Sequence, residues 1–401
     1  PDYAKVAKAI GMLKKGTVTH PDINKSELYF IPNENKSNIL FGLNAINGLG
    51  KNEIQAILDL RPFYNLDDFI NRMGEQVSQA KMVTMIKAGL LNGITQVSRR
   101  DTMIEYANKT IKPKNRIVIT SAHKFKDLIP KEYHDMLNAY EYKKLLKDGH
   151  LNQKQTMVFI RNICSMIEQF EKIKGDTYSD DLWTMDDDRI IVDMKRFDKW
   201  LKDFTQPLKD WLKTDNGINA ECRFRKREFW LENCGGNEAT WDMDSLNMYV
   251  GEHELTLVGL TPDKDYHSFN ELDEVPVPNG YKKFKGREYP QYDNYRICGT
   301  VIDKNNNKGI AVVLTADGVA NVRIGRQRYS QFNKRIMKEV DGKRKCVDES
   351  WFDRGTKIVA VGHRIQNDFV LSTNGTGYHS NLGKLEIVNG NVNTYYTKEG
   401  K

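Results

Sequence analysis

The sequence lacks the features that mark membrane-spanning, secreted and disulfide-stapled proteins. It has no run of about 18 apolar residues, so no segment is predicted to span a bilayer. Its start carries no apolar signal-peptide core, and it begins at Pro1 rather than Met, as a fragment or a processed piece would. The five cysteines are an odd number without a CxxC pair, which argues against a disulfide framework and a structural zinc site. We expect a cytoplasmic protein.

Sequence patterns of catalytic sites are also missing. The eight histidines form no HExxH motif, and the chain contains no nucleophile elbow. Two acidic clusters, Asp242 with Asp244 and the run 186–188, have the spacing of metal-binding carboxylates. Neither cluster is flanked by the alternating apolar residues of a buried strand, so we interpret both as solvated loops. The sequence therefore predicts no catalytic residue, no metal ligand and no cofactor in this chain.

An excess of positive charge is confined to one region. The chain has a formal net charge of +7, but residues 282–345 carry 16 Lys or Arg against six Asp or Glu, a local excess of 10. The rest of the chain is therefore slightly acidic. A concentrated basic surface is typical of proteins that hold a nucleic-acid backbone, and the alternative is a solvated face of a barrel.

Hydrophobic patterning indicates an α+β multidomain protein. A length of 401 residues is enough for about two to four domains. Residues 39–95 read as a compact helical unit with two glycine-containing turns. Polar helices are predicted through the middle of the chain, at 98–108, 131–148, 152–174 and 190–214. The segment "DEVPVPNGYKKFKGREYPQYDN" reads as a linker.

The C-terminal part alternates apolar and polar residues. Three strands ("YRICGTVID", "IAVVLTA" and "VANVRIGR") precede a predicted helix, "YSQFNKRIMKEV", and two further strands, "TKIVAVGHRI" and "DFVLST". This order predicts an OB-fold β-barrel, which commonly binds single-stranded nucleic acid. We predict that cations hold the strand while aromatic rings stack on its bases, through Tyr295, Lys304, Lys308, Arg323, Arg326, Arg328 and Tyr329.

A glycine turn, "NGLGKNE", precedes a predicted helix. A dinucleotide-binding loop would need a third glycine where Glu53 stands, and the Lys-Ser/Thr pair of a P-loop is absent. A helix-hairpin-helix turn fits, because Gly48 and Gly50 allow the helix N-terminus to approach a duplex phosphate, with Lys51 and Asn52 adding a charge and a donor. The alternative is a simple connection between helices.

Two further motifs each leave two interpretations open. In "MIKAGLLN", Lys87 and Gly89 could form a second backbone-binding turn, or Gly89 could only cap a helix. The segment "QTMVF" resembles short peptides that bind sliding clamps. Its helical pattern instead favours packing in a core. The predicted clamp-binding residues are Gln155, Met157 and Phe159.

Taken together, four segments resemble the C-terminal region of the DNA polymerase III alpha subunit, the bacterial and phage C-family replicative polymerase. They are "HPDINKSELYF", "ILFGLNAINGLGKNEIQAIL", "MVTMIKAGLLNGI" and "LNMYVGEHEL". In the last segment Leu246, Tyr249, His253 and Leu255 match the family pattern, whereas Asn247, Gly251, Glu252 and Glu254 depart from it. Residues 96–235 resemble nothing that we recognise.

The resemblance implies a division into segments of different roles. These are a fingers-like end (1–38), a helix-hairpin-helix domain for duplex DNA or a clamp (39–95), a helical region of unknown role (96–235), a connecting segment (236–293), an OB-fold domain (294–390) and a tail (391–401). The catalytic palm carboxylates, with their Mg²⁺, would lie before Pro1, in a longer parent chain or a companion polypeptide. A split polymerase of this kind suggests a phage origin.

The implied partners are primer–template DNA, the single-stranded template, the polymerase catalytic part and, as a further candidate, a sliding clamp. The implied function is to support template-directed DNA synthesis by gripping duplex and single-stranded DNA. The alternatives are a free-standing, non-enzymatic accessory protein that tethers DNA or a clamp, and an RNA-processing protein.

Overall fold

A computed structural model describes most of the chain. It covers residues 18–33, 36–114, 116–140, 157–161, 183–186, 189–262, 264–340, 343–372, 381–388 and 390–398. The contacts divide it into two units, one formed by Pro1–Met103 with Gly236–Lys401 and the other by Ile104–Gly235. Within the described part, no helix combines the length and apolarity needed to cross a membrane.

Residues 18–103 form a small helical unit beside a minimal sheet. The elements are β1 (Val18–Thr19), β2 (Ile31–Pro32), β3 (Ile39–Leu40), α1 (Lys51–Leu60), α2 (Leu66–Met73), α3 (Gln79–Lys87), α4 (Asn92–Thr95) and α5 (Arg99–Thr110). The side chains of Asn65 and Ser78 cap α2 and α3 by accepting a backbone N–H of the first turn. Apolar residues at helical spacing, such as Ile54 and Ile57, are fully buried, so packing of these faces holds the unit together.

The middle of the chain is mostly helical, as predicted, but it also contains strands. The elements are α6 (Ile119–Ala122), β4 (Met157–Arg161), β5 (Trp183–Asp186), β6 (Arg189–Asp193), α7 (Met194–Phe204), α8 (Gln206–Trp211) and α9 (Asp215–Asn233). The predicted helices at 152–174 and 190–214 are therefore wrong at β4 and β6, which pair antiparallel with each other. The periodicity of a short apolar run does not distinguish a helix from a strand. Here the pairing of β4 with β6, which are distant in sequence, determines that both are strands.

The connection to the barrel carries structure where the sequence reads as a linker. It contains α10 (Glu238–Leu246), α11 (Glu254–Leu257), β7 (Gly280–Phe284) and β8 (Arg287–Gln291). The strands β7 and β8 form a hairpin whose turn residues, Lys285 and Gly286, both have positive φ, at 49° and 75°. Two positive φ angles match the twist of the flanking strands, and Lys at the first turn position hides this signal in the sequence.

The C-terminal part is a closed barrel of the OB type, as the strand order predicts. Its elements are β9 (Tyr295–Asn305), β10 (Ile310–Leu314), β11 (Val319–Arg323), α12 (Arg326–Phe332), β12 (Ile336–Val340), β13 (Lys343–Asp348), β14 (Lys357–Ile365), β15 (Asp368–Leu371), β16 (Leu382–Val388) and β17 (Asn391–Tyr395). β9 pairs with β10 and β14, β11 pairs parallel with β15, and β15 pairs with β14, which closes five strands. Alternate strand residues fill the interior, among them Val301, Val313 and Val322.

The segment "YSQFNKRIMKEV" is helical only at its start. α12 ends at Phe332, and β12 pairs antiparallel with β13 as a separate hairpin. The predicted helix is therefore wrong over Ile336–Val340. The prediction failed because this apolar-polar run has a strand partner in β13, which its own periodicity does not reveal.

Candidate nucleic-acid interface

The glycine turn presents the start of α1 to solvent. Gly48 is exposed with φ 76°, a conformation that favours glycine, and Gly50 is the N-cap of α1. Between them Leu49 is buried and anchors the turn to the helical core. Lys51 and Asn52, the first two helical residues, are exposed. Because the first N–H groups of a helix have no partner within the helix, this corner can donate to an anion.

Glu53 closes the turn from inside. One oxygen of its carboxylate accepts the Gly50 N–H at 2.9 Å, and the other pairs with the Lys81 ammonium. The hydrogen bond from Lys81 lowers the pKa of Glu53 against the opposing effect of burial. The carboxylate thus remains ionised, and Lys81 compensates its charge. The positive charge of Lys51 then dominates the exposed corner.

The turn is also braced from behind by α10. The Asn47 backbone N–H donates to the Ser245 carbonyl at 2.7 Å, and its side-chain amide donates to the Asp244 carbonyl at 3.1 Å. These bonds satisfy carbonyls near the C-terminal end of α10. The position of the glycine turn is therefore fixed by a helix that lies almost 200 residues later in the sequence.

α10 docks on the helical unit through Trp241. This indole is fully buried, with the Arg100 guanidinium 5.2 Å and the Lys87 ammonium 5.9 Å from its ring centre. Lys87 also pairs with Asp244 at 3.3 Å. Cations over an aromatic face add an attraction to the burial of the ring. Lys87, predicted to contact a DNA phosphate, is thus engaged within the protein.

Asp242 is the polar centre of the same contact. Its side chain is 3% exposed and lies 2.8 Å from His20 Nε2 and 2.5 Å from Arg99 Nη1, and it accepts the Val250 N–H at 3.1 Å. Burial alone would raise the pKa of Asp242, but the hydrogen bond and charge of His20, with those of Arg99, hold it below its usual range. The interpretation of this acid as part of a solvated loop is wrong, because it sits in a helix and is neutralised by partners distant in sequence.

Gly89 has the geometry of a helix cap. It is buried with φ 74°, the Leu90 N–H donates to Met85 O at 3.1 Å, and the Gly89 N–H donates to Ile86 O at 3.0 Å. This is the Schellman arrangement at the end of α3. A Cβ at this position would press on the His20 ring. The geometry of the second turn is therefore that of a helix cap. A DNA contact by Gly89 stays a prediction.

Four of the predicted barrel cations lie around α12 and the loop between β9 and β10. Lys308, Arg323 and Arg326 are exposed, and Arg328 is half-buried. Arg323 Nε donates to Asp368 at 2.6 Å, and Arg326 Nε donates to the Asn307 carbonyl at 2.9 Å. Arg328 donates to the Ser372 carbonyl at 3.1 Å. These bonds orient the guanidinium groups beside the third barrel strand and the loop between the first two strands, which belong to the region where OB-folds commonly bind oligonucleotides.

The other barrel predictions need correction at Tyr329. Its ring is 2% exposed and stacks on Phe352 with a centroid separation of 4.6 Å, while its hydroxyl donates to Asn306 at 2.7 Å. Burial raises the pKa of Tyr329 to about 12. The ring is therefore part of the core and is not available for stacking on a base. Helical spacing in α12 turns Tyr329 inward, whereas the prediction considered only its basic neighbours.

Lys304 and Tyr295 are partly enclosed. The Lys304 ammonium binds Asp353 at 2.7 Å and Asn333 at 3.0 Å, which joins β9 to the end of α12. The half-buried Tyr295 ring lies edge-on to His267 at 5.2 Å. Both residues therefore make structural contacts, and their roles in binding a single strand stay predictions.

The predicted clamp-binding residues fall only partly within the described structure. Met157 and Phe159 lie in β4, and Gln155 lies outside the described residues. The extended backbone replaces the predicted helix, and clamp binding stays a prediction. In the run 186–188, Asp186 ends β5 and the other two acids lie outside the described residues.

The segment 246–255 joins α10 to the barrel. The Tyr249 hydroxyl lies 2.8 Å from Thr300 Oγ1, and the Glu254 carboxylate pairs with Lys357 at 2.8 Å. His253 Nδ1 accepts the Leu255 N–H at 3.1 Å, so Nε2 carries the proton toward Leu314 O, also at 3.1 Å. Burial lowers the pKa of His253 to about 4, which keeps it neutral. The segment thus has a structural role that local sequence signals did not reveal.

The fold and these surfaces define the class of protein: an α+β multidomain chain in which a helix-hairpin-helix unit packs against the connection to an OB-type barrel. A family model described as "Helix-hairpin-helix motif" matches residues 15–102.

Comparisons with known proteins show that the chain is similar to part of several DNA polymerases. The chain is 27% identical over 381 residues to the "Probable DNA polymerase YorL" of Bacillus subtilis (strain 168) and to the "DNA-directed DNA polymerase" of Bacillus phage SPbeta. Each match covers 92% of this chain but only 28% of the relative. This chain is also 35% identical over 104 residues to the DNA polymerase III subunit alpha of Thermus aquaticus, and the match covers 24% of this chain and 8% of that protein. The resemblance to the C-terminal region of the DNA polymerase III alpha subunit is thereby confirmed.

Proposed function

We propose that this chain is the DNA-binding C-terminal portion of a replicative DNA polymerase, which supports template-directed synthesis by holding duplex and single-stranded DNA. Most of this chain matches two polymerases, but the matched part is only 28% of the length of each polymerase. The palm carboxylates and their Mg²⁺ would accordingly come from another part of the assembly, in the cytoplasm of a bacterial host. Primer–template DNA and that catalytic part are the proposed partners.

The observation that carries the proposal is the glycine turn. Lys51 and Asn52 stand exposed at the N-terminus of a ten-residue helix, with the turn held rigid by Leu49 below it and by Asn47 bound to α10. A phosphate at this corner would meet backbone N–H groups, the helix dipole and the ammonium of Lys51, which makes no ion pair within the described part of the chain. These groups recognise a backbone without reading its bases, as sequence-independent polymerisation requires.

The barrel supports the single-strand part of the proposal. Lys308, Arg323 and Arg326 surround the loop ends of a closed five-stranded barrel, at the face that OB-folds use for oligonucleotides. With Tyr329 buried in the core, the exposed cations would provide charge, and stacking must come from other rings.

Fluorescence anisotropy with matched duplex and oligo(dT) probes tests the division of labour. We expect Lys51→Ala with Asn52→Ala to weaken duplex binding about tenfold and to leave oligo(dT) binding nearly unchanged, because one phosphate contact and its donor are lost. Lys124→Ala, which removes an exposed lysine of the middle region, serves as the charge-matched control. Equal losses on both probes, or an equal loss in the control, would contradict the assignment of the turn.

Reconstitution tests the polymerase assignment itself. The chain, mixed or fused with the palm-containing part of its polymerase, should raise primer extension in the presence of Mg²⁺ relative to that part alone. If no palm-bearing sequence adjoins its gene or lies in a longer parent chain, the polymerase assignment fails. Tight DNA binding without association with a polymerase part would then favour the accessory-protein alternative.

A further inference from the structure

The hairpin formed by β7 and β8, residues 280–291, stands apart from the hydrophobic cores. Each described side chain from Tyr281 to Pro290 is exposed, and the two strands form a separate two-stranded sheet. A lone two-stranded hairpin is marginally stable in water, so its persistence depends on its base. There Asn279 donates through its backbone to Gln291 O at 2.8 Å and through its side chain to Asp293 at 2.7 Å.

The base of the hairpin is attached to β14 and to the loop that follows it. Tyr292, directly after β8, stacks on His363 of β14 with a centroid separation of 4.5 Å. Upstream of β7, the Glu274 carbonyl accepts the Gln366 N–H at 2.7 Å. Gln366 lies in the loop between β14 and β15, the fourth and fifth barrel strands, and this loop is one of the two with which OB-folds contact oligonucleotides.

The two faces of the hairpin differ in charge. Residues directly opposite in an antiparallel pair share a face, so Tyr281, Lys283, Glu288 and Pro290 form one face. There Lys283 pairs with Glu288 at 3.2 Å, so that the charge of this face is compensated. The opposite face carries Lys282 directly across from Tyr289, with Arg287 on the same side and no acidic residue at any of its positions.

Resting on the proposed function, we propose that this second face, Lys282 with Arg287 and Tyr289, is a contact site for single-stranded DNA that extends the barrel's binding surface. The cations lie within reach of the phosphate backbone, and the Tyr289 ring, 46% exposed, offers a platform for a base. An exposed ring next to cations fits an unpaired base better than a duplex, whose bases are already stacked. The face thus supplies the stacking group that Tyr329 cannot.

The test compares two double variants of the full chain that lose the same residue types from opposite faces. Lys282→Ala with Tyr289→Ala should weaken oligo(dT) binding about tenfold, because one stacking contact and one phosphate contact are removed. Lys283→Ala with Tyr281→Ala should bind as the unmodified chain does. With Arg287→Ala added to the first variant, two phosphate contacts are lost, and the slope of log K against log salt should be shallower than that of the unmodified chain by about 1.4.

The outcomes separate this inference from the proposed function. If the unmodified chain binds oligo(dT) and both double variants bind equally well or equally poorly, the assignment of the face is overturned while single-strand binding stands. If Lys282→Ala with Tyr289→Ala weakens binding to a blunt duplex as much as binding to oligo(dT), the preference of this face for single strands is overturned. Failure of the unmodified chain to bind DNA would overturn the proposed function itself. Tyr289→Phe should retain binding, which distinguishes stacking from a hydroxyl contact, and circular dichroism checks that each variant is folded.

Discussion

At the scale of single residues, Asp242 brings together groups that lie far apart in the chain. Its carboxylate contacts His20, 222 residues earlier, and Arg99, 143 residues earlier. A buried carboxylate persists only when its charge is matched, and here an imidazole, a guanidinium and a backbone N–H surround it. The contact positions α10, which in turn holds Asn47 and the glycine turn. The geometry of the proposed duplex-binding corner therefore depends on an acid remote from it.

Asp242→Asn should strongly destabilise the fold. An amide removes the buried counter-charge of Arg99, which then keeps only the more exposed Glu238 at 3.2 Å, and removing one member of a buried ion pair costs about 3–5 kcal/mol. Asp244→Asn on the same helix is the control: Asp244 is exposed, and a surface ion pair is worth about 1 kcal/mol or less. Urea unfolding would measure both. Equal free energies of unfolding for the two variants would show that the Asp242 cluster is not the anchor of α10.

His253 should make stability depend on pH. Its pKa in the folded protein, about 4, lies below the ordinary 6.5, so the unfolded chain binds the proton more tightly. The contribution of neutral His253 is therefore fully present above about pH 6.5 and declines as the pH falls toward 4, by up to about 3 kcal/mol. Free energies of unfolding across this range should fall more steeply for the unmodified chain than for His253→Gln. His267→Gln, at an exposed histidine, should keep the steep slope; identical slopes in all three would refute the assignment.

At the scale of elements, the closure of the barrel depends on glycines where strands approach closely. A Cβ at Gly362 in β14 would collide with the Val370 carbonyl oxygen of β15, and a Cβ at Gly299 in β9 would collide with the Leu314 carbonyl oxygen. Both clashes involve paired backbone, which cannot move aside without breaking the ladder. The alternation of apolar and polar residues predicted the order of the strands. It did not predict these close approaches, because they depend on the curvature of the closed sheet.

Gly362→Ala should therefore lower the free energy of unfolding by about 2 kcal/mol, because the overpacked strand must shift. Gly251→Ala is the matched control, since a Cβ there meets open space and Gly251 has no positive φ. Thermal unfolding followed by circular dichroism would report both. A melting temperature for Gly362→Ala equal to that of the control would mean that β14 and β15 can move apart without loss of stability.

At the scale of the whole molecule, one compact unit is built from two separated stretches of chain. Pro1–Met103 and Gly236–Lys401 form it together, and Ile104–Gly235 forms the other. Within the first unit the Arg100 guanidinium donates to the Gly236 carbonyl. The end of the first stretch therefore contacts the start of the second. Trp241 and Asp242 from the second stretch complete the core of the first.

Replacing residues 104–235 by a short Gly/Ser linker should leave the first unit folded and able to bind duplex DNA. The reason is that the buried contacts of Trp241 and Asp242 lie entirely within that unit. Hydrogen exchange should show α10 protected as in the full chain. The isolated stretch 236–401 is the comparison and should lose that protection, because α10 then has no partner. Protection of α10 in the isolated stretch would contradict the prediction.

The sequence by itself determined the local features, because they depend on neighbouring residues. Glycines at a turn, alternation in barrel strands and a run of basic residues predicted the helix-hairpin-helix turn, the OB-type strand order and the basic C-terminal part. Only the tertiary structure decided which of these groups face solvent. It buried Tyr329, paired Lys87 with Asp244, placed Asp242 between His20 and Arg99, and raised a hairpin from an apparent linker. Burial and ion pairing depend on residues that are distant in sequence, and the spacing of residues within one segment does not predict which distant residues these are.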